Sequence, residues 1–444
     1  MNFDQNMKKM KADLENLALK IPKFSQSVLG FNSPEKDWNV QINKMVNRYS
    51  NLLNDAEMSQ DYFFAMANLE KDCSKMINSI LSQLDHEKKL STMSGRLNTL
   101  NDLNQVIKSI NLLMSQHIDF VISNSKKHAP DIKQWRQLED ISRSIQINTN
   151  IIHPLLGANQ AGINNLEQIA QQASRLILAA LAKEINTEKG NEFINQIHTS
   201  LATNKSIIVQ PSITVSEPGM AVSPVNLEGA CAQIQVQDSD ASLESRISDK
   251  FTCSTGDSST LDVPITVPME VLQEDQLATY MAKPEVVNRS LSTLIGGDLY
   301  CNNKITYLPF QVELLHELIH VVHNAQGTNF KHVPLNEEEK KLWHTYEEYV
   351  TMKGGLISEA DFAPKYGALP RENHSGFSTS ILFQPTKEES KITINSIIND
   401  HSALPNEHHH HSSFHNFKQK MSEIVNRKDQ SELEEEISNV GNRI

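Results

Sequence analysis

The chain has 444 residues and a mass of 50.0 kDa, enough for about two or three domains. Lys and Arg number 41 against 54 Asp and Glu, a formal net charge of −13, which sets aside a general binder of nucleic-acid phosphates. Glycine and proline, 16 each, are too scarce for a turn-rich all-β chain and favour long helices.

Cys73, Cys231, Cys253 and Cys301 form no C-x-x-C pair. A zinc ribbon and a thioredoxin-type motif are excluded, and a reducing compartment is the simpler expectation. The N-terminal MNFDQNMKKMKADLENLALKIPKF has no apolar core, so no Sec signal peptide is expected. No run of about 18 apolar residues is present, so no transmembrane segment is expected.

In chain order, residues 1–204 read as a helical domain. Apolar residues recur at three and four in Leu69, Cys73, Met76, Ile77, Ile80, in Leu97 to Val121, in Trp135, Leu138, Ile141, Ile145, and in Leu166 to Leu181. Breaks fall near Pro34, Pro130 and the HPLLG at 153–157. The pattern predicts a bundle of about five helices or a coiled-coil-like rod. Residues 205–261 are a β-like, loop-rich boundary region, with strands predicted at 206–215 and 232–236. Residues 262–385 alternate strand signals (262–272, 303–310) with helical segments (275–295, 311–324, 336–352). Residues 386–444 form a polar tail with His408–His411, a final helix from Phe417 to Val425, and an acidic end. The expected fold class is α+β.

The chemistry-bearing motif is His316-Glu317-Leu318-Ile319-His320, an H-E-x-x-H. On a helix, His316 and His320 share one face and can bind one zinc ion, and Glu317 can act as general base. Pro309 suits the N1 position. Val312, Leu315, Ile319 and Val322 cover one flank and Leu314, Leu318 and Val321 the other, which marks a buried helix. Its polar residues lie in one stripe, Glu313, His316, Glu317, His320 and His323. Buried imidazoles and carboxylates are costly unless a metal or a network satisfies them.

A catalytic zinc needs a third protein ligand. Asn336 and Glu339 form a capping box for a helix that is predicted to run through LWHTYEEYVTMK to Gly354-Gly355 and to carry His344, Glu347 and Glu348. Helical phase does not choose between the two glutamates, and His344 is the fallback. Position 326 is Gln, so the tighter spacing with a third histidine does not apply. His323 extends the histidine stripe, either supporting or gating the site or as a polar core residue. The His408–His411 cluster with His415 can chelate metals adventitiously.

HELIHVVHNAQGTN, then EEYVTMKGG, then an Arg-containing segment, resembles the NleD-like family of bacterial effector zinc metallopeptidases. HELIH-x-x-H and EE-x-x-T also resemble clostridial neurotoxin light chains. The resemblance covers roughly residues 262–385 and implies a zincin-type metallopeptidase domain. Zinc would be held by His316, His320 and Glu348, with Glu347 as support and Glu317 as catalytic base. The effector family carries Arg followed three residues later by Tyr; here these positions are Arg371 and His374, which by this resemblance would stabilise the oxyanion or, for Arg371, support the site from behind. The resemblance further implies a host protein substrate and delivery into the host cytoplasm by a specialised type III or type IV secretion system. Glu432, Glu434, Glu435 and Glu436 resemble glutamate-rich type IV signals, or form a solvated acidic helix face. A reading from another class makes the helical half a partner-binding module beside a vestigial zinc domain.

Overall fold

The computed structural model describes residues 59–84, 93–129, 131–215, 219–234, 251–301, 305–374 and 377–379, with residue 243 and a few isolated positions before residue 48. The polar tail, its histidine cluster and acidic end, and the break near Pro34 lie outside the described residues.

Among the described residues of the first half, five helices of eleven residues or more occur: α1 (Ser59–Leu84), α2 (Met93–His128), α3 (Gln134–Ser144), α4 (Gln160–Lys183) and α5 (Glu188–Leu201). They form a bundle rather than a rod. Ser59 Oγ at the start of α1 donates to Asn124 Oδ1 near the end of α2 at 2.8 Å, so these two run antiparallel. Helix α4 is buried all round from Leu176 to Lys183, the mark of a central helix. The expected α3 stripe ends one residue early. Ile145–Ile147 leaves the helix as strand β1, because the β-branched residues there pair with a second strand.

That second strand is β2 (Ile207–Thr214). It lies between β1 and β4 (Ser259–Thr266), parallel to both, and β3 (Ala221–Pro224) adds antiparallel to β4 at the edge. After β4 come α6 (Glu274–Met281) and α7 (Pro284–Leu294). Strands β5 (Asp298–Cys301) and β6 (Ile305–Leu308) follow, joined at the far end by β7 (Phe377–Thr379) in an antiparallel sheet of order β6-β5-β7.

The motif helix is α8 (Phe310–Gln326), with Pro309 as its N-cap rather than its first residue. Gly327 ends it at φ 69° in the left-handed region. A Cβ there would sit 2.3 Å from the Ser254 carbonyl oxygen. Val312, Leu314, Leu315, Leu318, Ile319, Val321 and Val322 are all buried, as both apolar flanks require.

One hydrophobic core runs from Tyr62 of α1 through α4, β2 and β4 to Leu314–Ala325 of α8 and on to Phe362. Gln311 Nε2 donates to the Ala180 carbonyl at 2.8 Å and ties α8 to α4. This core continues past the expected boundaries at 204 and 261. Strand β2, near the start of the 205–261 region, and β4, which crosses its end, pair along eight residues each. The composition shift at 205 marks a change from helix to strand within one packed body. Fold class is α+β, and among the described residues no helix is long and apolar enough to cross a membrane.

The expected helix 336–352 is also broken. Helix α9 (Glu337–Trp343), opened by the Asn336/Glu339 capping box, stops before His344. A new helical segment, α10 (Tyr346–Tyr349), starts after the Thr345 cap and continues as a π-turn, Val350–Gly354. A second apolar cluster of Phe330, Trp343, Tyr346, Tyr349 and Met352 anchors both pieces.

Candidate metal centre

His316 and His320 are one turn apart on α8, with exposures of only 3% and 6%. Their rings meet edge to face, centroids 4.9 Å apart, and their Nε2 atoms are 3.2 Å apart. From α10, Glu348 brings Oε2 to 3.2 Å from His316 Nε2 and 3.4 Å from His320 Nε2. A tetrahedral ion with bonds of about 2.0–2.1 Å has ligand–ligand edges of about 3.3–3.4 Å, so these three atoms have the spacing of one face of such a site. Glu348 Oε2 is buried without a hydrogen-bond partner, which is costly unless a cation satisfies it. His316, His320 and Glu348 form a group able to hold a metal ion.

The other side of each imidazole is tied to a carboxylate. His316 Nδ1 lies 3.1 Å from Glu359 Oε2. His320 Nδ1 lies 2.9 Å from Glu347 Oε1. Donation from Nδ1–H leaves each Nε2 lone pair facing the other and Glu348, the arrangement that metal-binding histidines require.

Glu347 is fully engaged. It also accepts from His323 Nδ1 at 2.6 Å, Thr351 Oγ1 at 3.2 Å and the Phe330 N–H at 2.9 Å. The grouping of His320, His323 and Glu347 is thus explained by hydrogen bonds, whereas the grouping around Glu348 is not. Burial opposes ionisation of Glu347, but His323 and His320 outweigh it and hold its pKa at about 2. His323 lies behind the site, as support.

Arg371 is buried and stacked over Tyr300, its Cζ 4.7 Å from the ring centroid. Its Nε donates to Glu359 Oε1 at 2.8 Å, and its Nη2 pairs with Glu359 Oε2. Of the two roles open to Arg371, the guanidinium contacts are those of support, through Glu359 to His316. Burial opposes the Glu359 charge, yet Arg371 and His316 hold its pKa at about 2.

His374 is the residue beside Glu348: its Nε2 is 3.4 Å from Glu348 Oε2, and its ring lies 6.0 Å from that of His316. Burial pushes its pKa down to about 4, so it is neutral near pH 7. Glu317 is half-buried, and its Oε2 accepts from the Val222 N–H of edge strand β3 at 2.8 Å. Burial raises its pKa. Burial also opposes a charged His320, but Glu348 and Glu347 together hold its pKa well above the ordinary imidazole range.

His344, the fallback ligand, is exposed and outside the metal-holding group. Two residues in contact with this cluster escape sequence reasoning. Thr351 sits in the EE-x-x-T segment, where its spacing from Glu347 by one helical turn was an available signal. Glu359 had none: it lies in a short 3-10 turn, Glu359–Asp361, 39 residues beyond His320 in a stretch without periodicity. No protein-family model, curated protein or solved structure matches the chain.

Proposed function

We propose that the chain is a zinc endopeptidase with His316, His320 and Glu348 as metal ligands and Glu317 as general base. The observation that carries the reading is the buried, unpartnered Glu348 Oε2, set against two imidazole Nε2 atoms at 3.2 Å and 3.4 Å. A bound zinc ion supplies a Lewis acid that polarises a scissile carbonyl and acidifies a water molecule.

The side chains then divide the remaining work. Glu347 and Glu359 hold the two imidazoles through Nδ1, and Arg371 and Thr351 hold those carboxylates. Glu317 has Oε2 engaged by Val222, which leaves Oε1 to take the proton of the attacking water and pass it to the leaving amine. Neutral His374 donates Nε2–H to the charge developing on the carbonyl oxygen. A buried HExxH helix beside the edge strand of a mixed sheet suits a zincin-type domain.

The resemblance in HELIH-x-x-H and EE-x-x-T extends the proposal to a secreted effector, delivered by a type III or type IV system and acting on a host protein. The test is a comparison of new protein N-termini in host-cell lysate treated with wild type or Glu317→Gln. Specific new termini with wild type alone support the reading; identical profiles overturn it.

A further inference from the structure

The chain between the two helical segments nearest the site makes its sharpest bend at one residue. Trp343 at the end of α9 is buried against Tyr349, ring centroids 5.2 Å apart. Thr345 caps α10, its Oγ1 accepting from the Glu348 N–H at 3.3 Å. Only His344 is left to join these anchors. It does so at φ 59° and ψ −53°, and the Thr345 N–H donates to the Trp343 carbonyl at 2.6 Å. This is a γ-turn with positive φ at its centre, the rare and strained form.

Glycine would carry that turn at less cost. Histidine is present instead, and its ring has a specific neighbour. It meets the His374 ring edge to face, centroids 4.9 Å apart and planes at 69°. The two segments are joined again by the backbone, the His374 N–H donating to the Leu342 carbonyl at 2.8 Å. His374 needs such support, because its Nδ1 is buried without a hydrogen-bond partner. No polar contact at that atom fixes the ring, so packing against His344 and His316 must do so.

We infer that His344 is a positioning residue for His374, set by a strained γ-turn so that its ring holds the His374 Nε2–H toward an oxygen bound at the metal centre. The inference rests on the metal-site reading and adds a residue that acts only through another. A turn that served connection alone would gain from glycine; a turn that serves His374 would not.

The test uses the full chain loaded with cobalt, whose visible spectrum reports the centre, and acetohydroxamate as the oxygen-donor probe. His344→Gly should take up cobalt as wild type does and melt no lower, since the strain is removed. It should nonetheless bind acetohydroxamate about tenfold more weakly, the scale of a lost supporting contact. His344→Phe, which keeps an aromatic edge against His374, should restore binding. In a His374→Ala background, His344→Gly should add nothing, because both act through one group. Wild-type affinity in His344→Gly, or a full additional loss in the double variant, overturns the inference while leaving the metal site standing. A wild type that takes up no cobalt overturns the metal reading and this inference with it.

Discussion

Two buried polar clusters sit in the same hydrophobic core, and they are built differently. In the helical bundle, Lys183 of α4 bonds Glu70 Oε2 of α1 and Asn111 Oδ1 of α2, each at 2.5 Å. The charge of Glu70 is met by a cation that belongs to the chain. Around the two imidazoles of α8, Glu347 and Glu348 of α10 and Glu359 lie within ion-pair distance, and the one guanidinium among them, that of Arg371, is paired with Glu359. Burial opposes charge in both places. The first cluster is neutralised by a lysine of the chain and holds three helices in register; the second has, among the described residues, no lysine or arginine paired with Glu348, and His316, His320 and Glu348 there form a group that could hold a metal ion.

The largest effect should separate the clusters by stability. Lys183→Ala leaves Glu70 buried and unpaired, so chemical denaturation should show a loss of about 3–5 kcal/mol, with metal uptake by the remaining folded protein unchanged. The paired change Glu70→Leu with Lys183→Met should recover most of it. Loss of metal binding in the folded Lys183 variant would break the comparison, since it would tie the bundle network to the site.

Catalysis comes next. Glu317→Gln keeps the size of the side chain and leaves all three proposed ligands in place. Lysate cleavage should fall by at least about 10²-fold, the scale of a lost general base, while metal content and melting temperature stay at wild-type values. Loss of metal in this variant would move Glu317 into the ligand set.

Smaller effects sharpen the roles of the two adjacent glutamates. Glu347→Gln weakens support from behind His320, so zinc affinity, measured by chelator competition, should drop by about 10–100-fold. Glu348→Gln removes the proposed ligand and should drop it further. A greater loss at Glu347 would reverse the assignment.

The smallest effect is in pH. Without metal, the His320 pKa is raised above its ordinary value, so its proton stabilises the folded apo protein below the unfolded pKa of about 6.5, and that contribution is lost as pH rises through the folded value. Zinc must displace the same proton. The melting-temperature gap between zinc-loaded and metal-free protein should therefore widen from pH 6 to pH 8. A gap that narrows over this range contradicts the assignment.

Local features of this chain were legible and long-range ones were not. The i, i+4 spacing of His316 and His320 and the apolar flanks of α8 are properties of one helix, and both appear in place. The Asn336/Glu339 box likewise marks the start of α9. The departure of Ile145 into β1 depends on a partner 62 residues away, Ile207, and no helical period reports it. The choice between Glu347 and Glu348 is invisible to periodicity because the γ-turn at His344 resets the helical phase. Glu359 acquires its place only when Arg371 and His316 close on it from different elements. The composition shift at 205 is a local signal, whereas the pairing of Ile207–Thr214 with Ser259–Thr266 is a long-range contact that no local pattern reports.

Metal analysis of the full chain, purified without chelator, tests the central claim most directly. Wild type should carry close to one zinc per chain and His320→Ala or Glu348→Gln little, with Lys183→Met unaffected in its folded fraction. Wild-type protein that carries no zinc and takes up none on addition would contradict it.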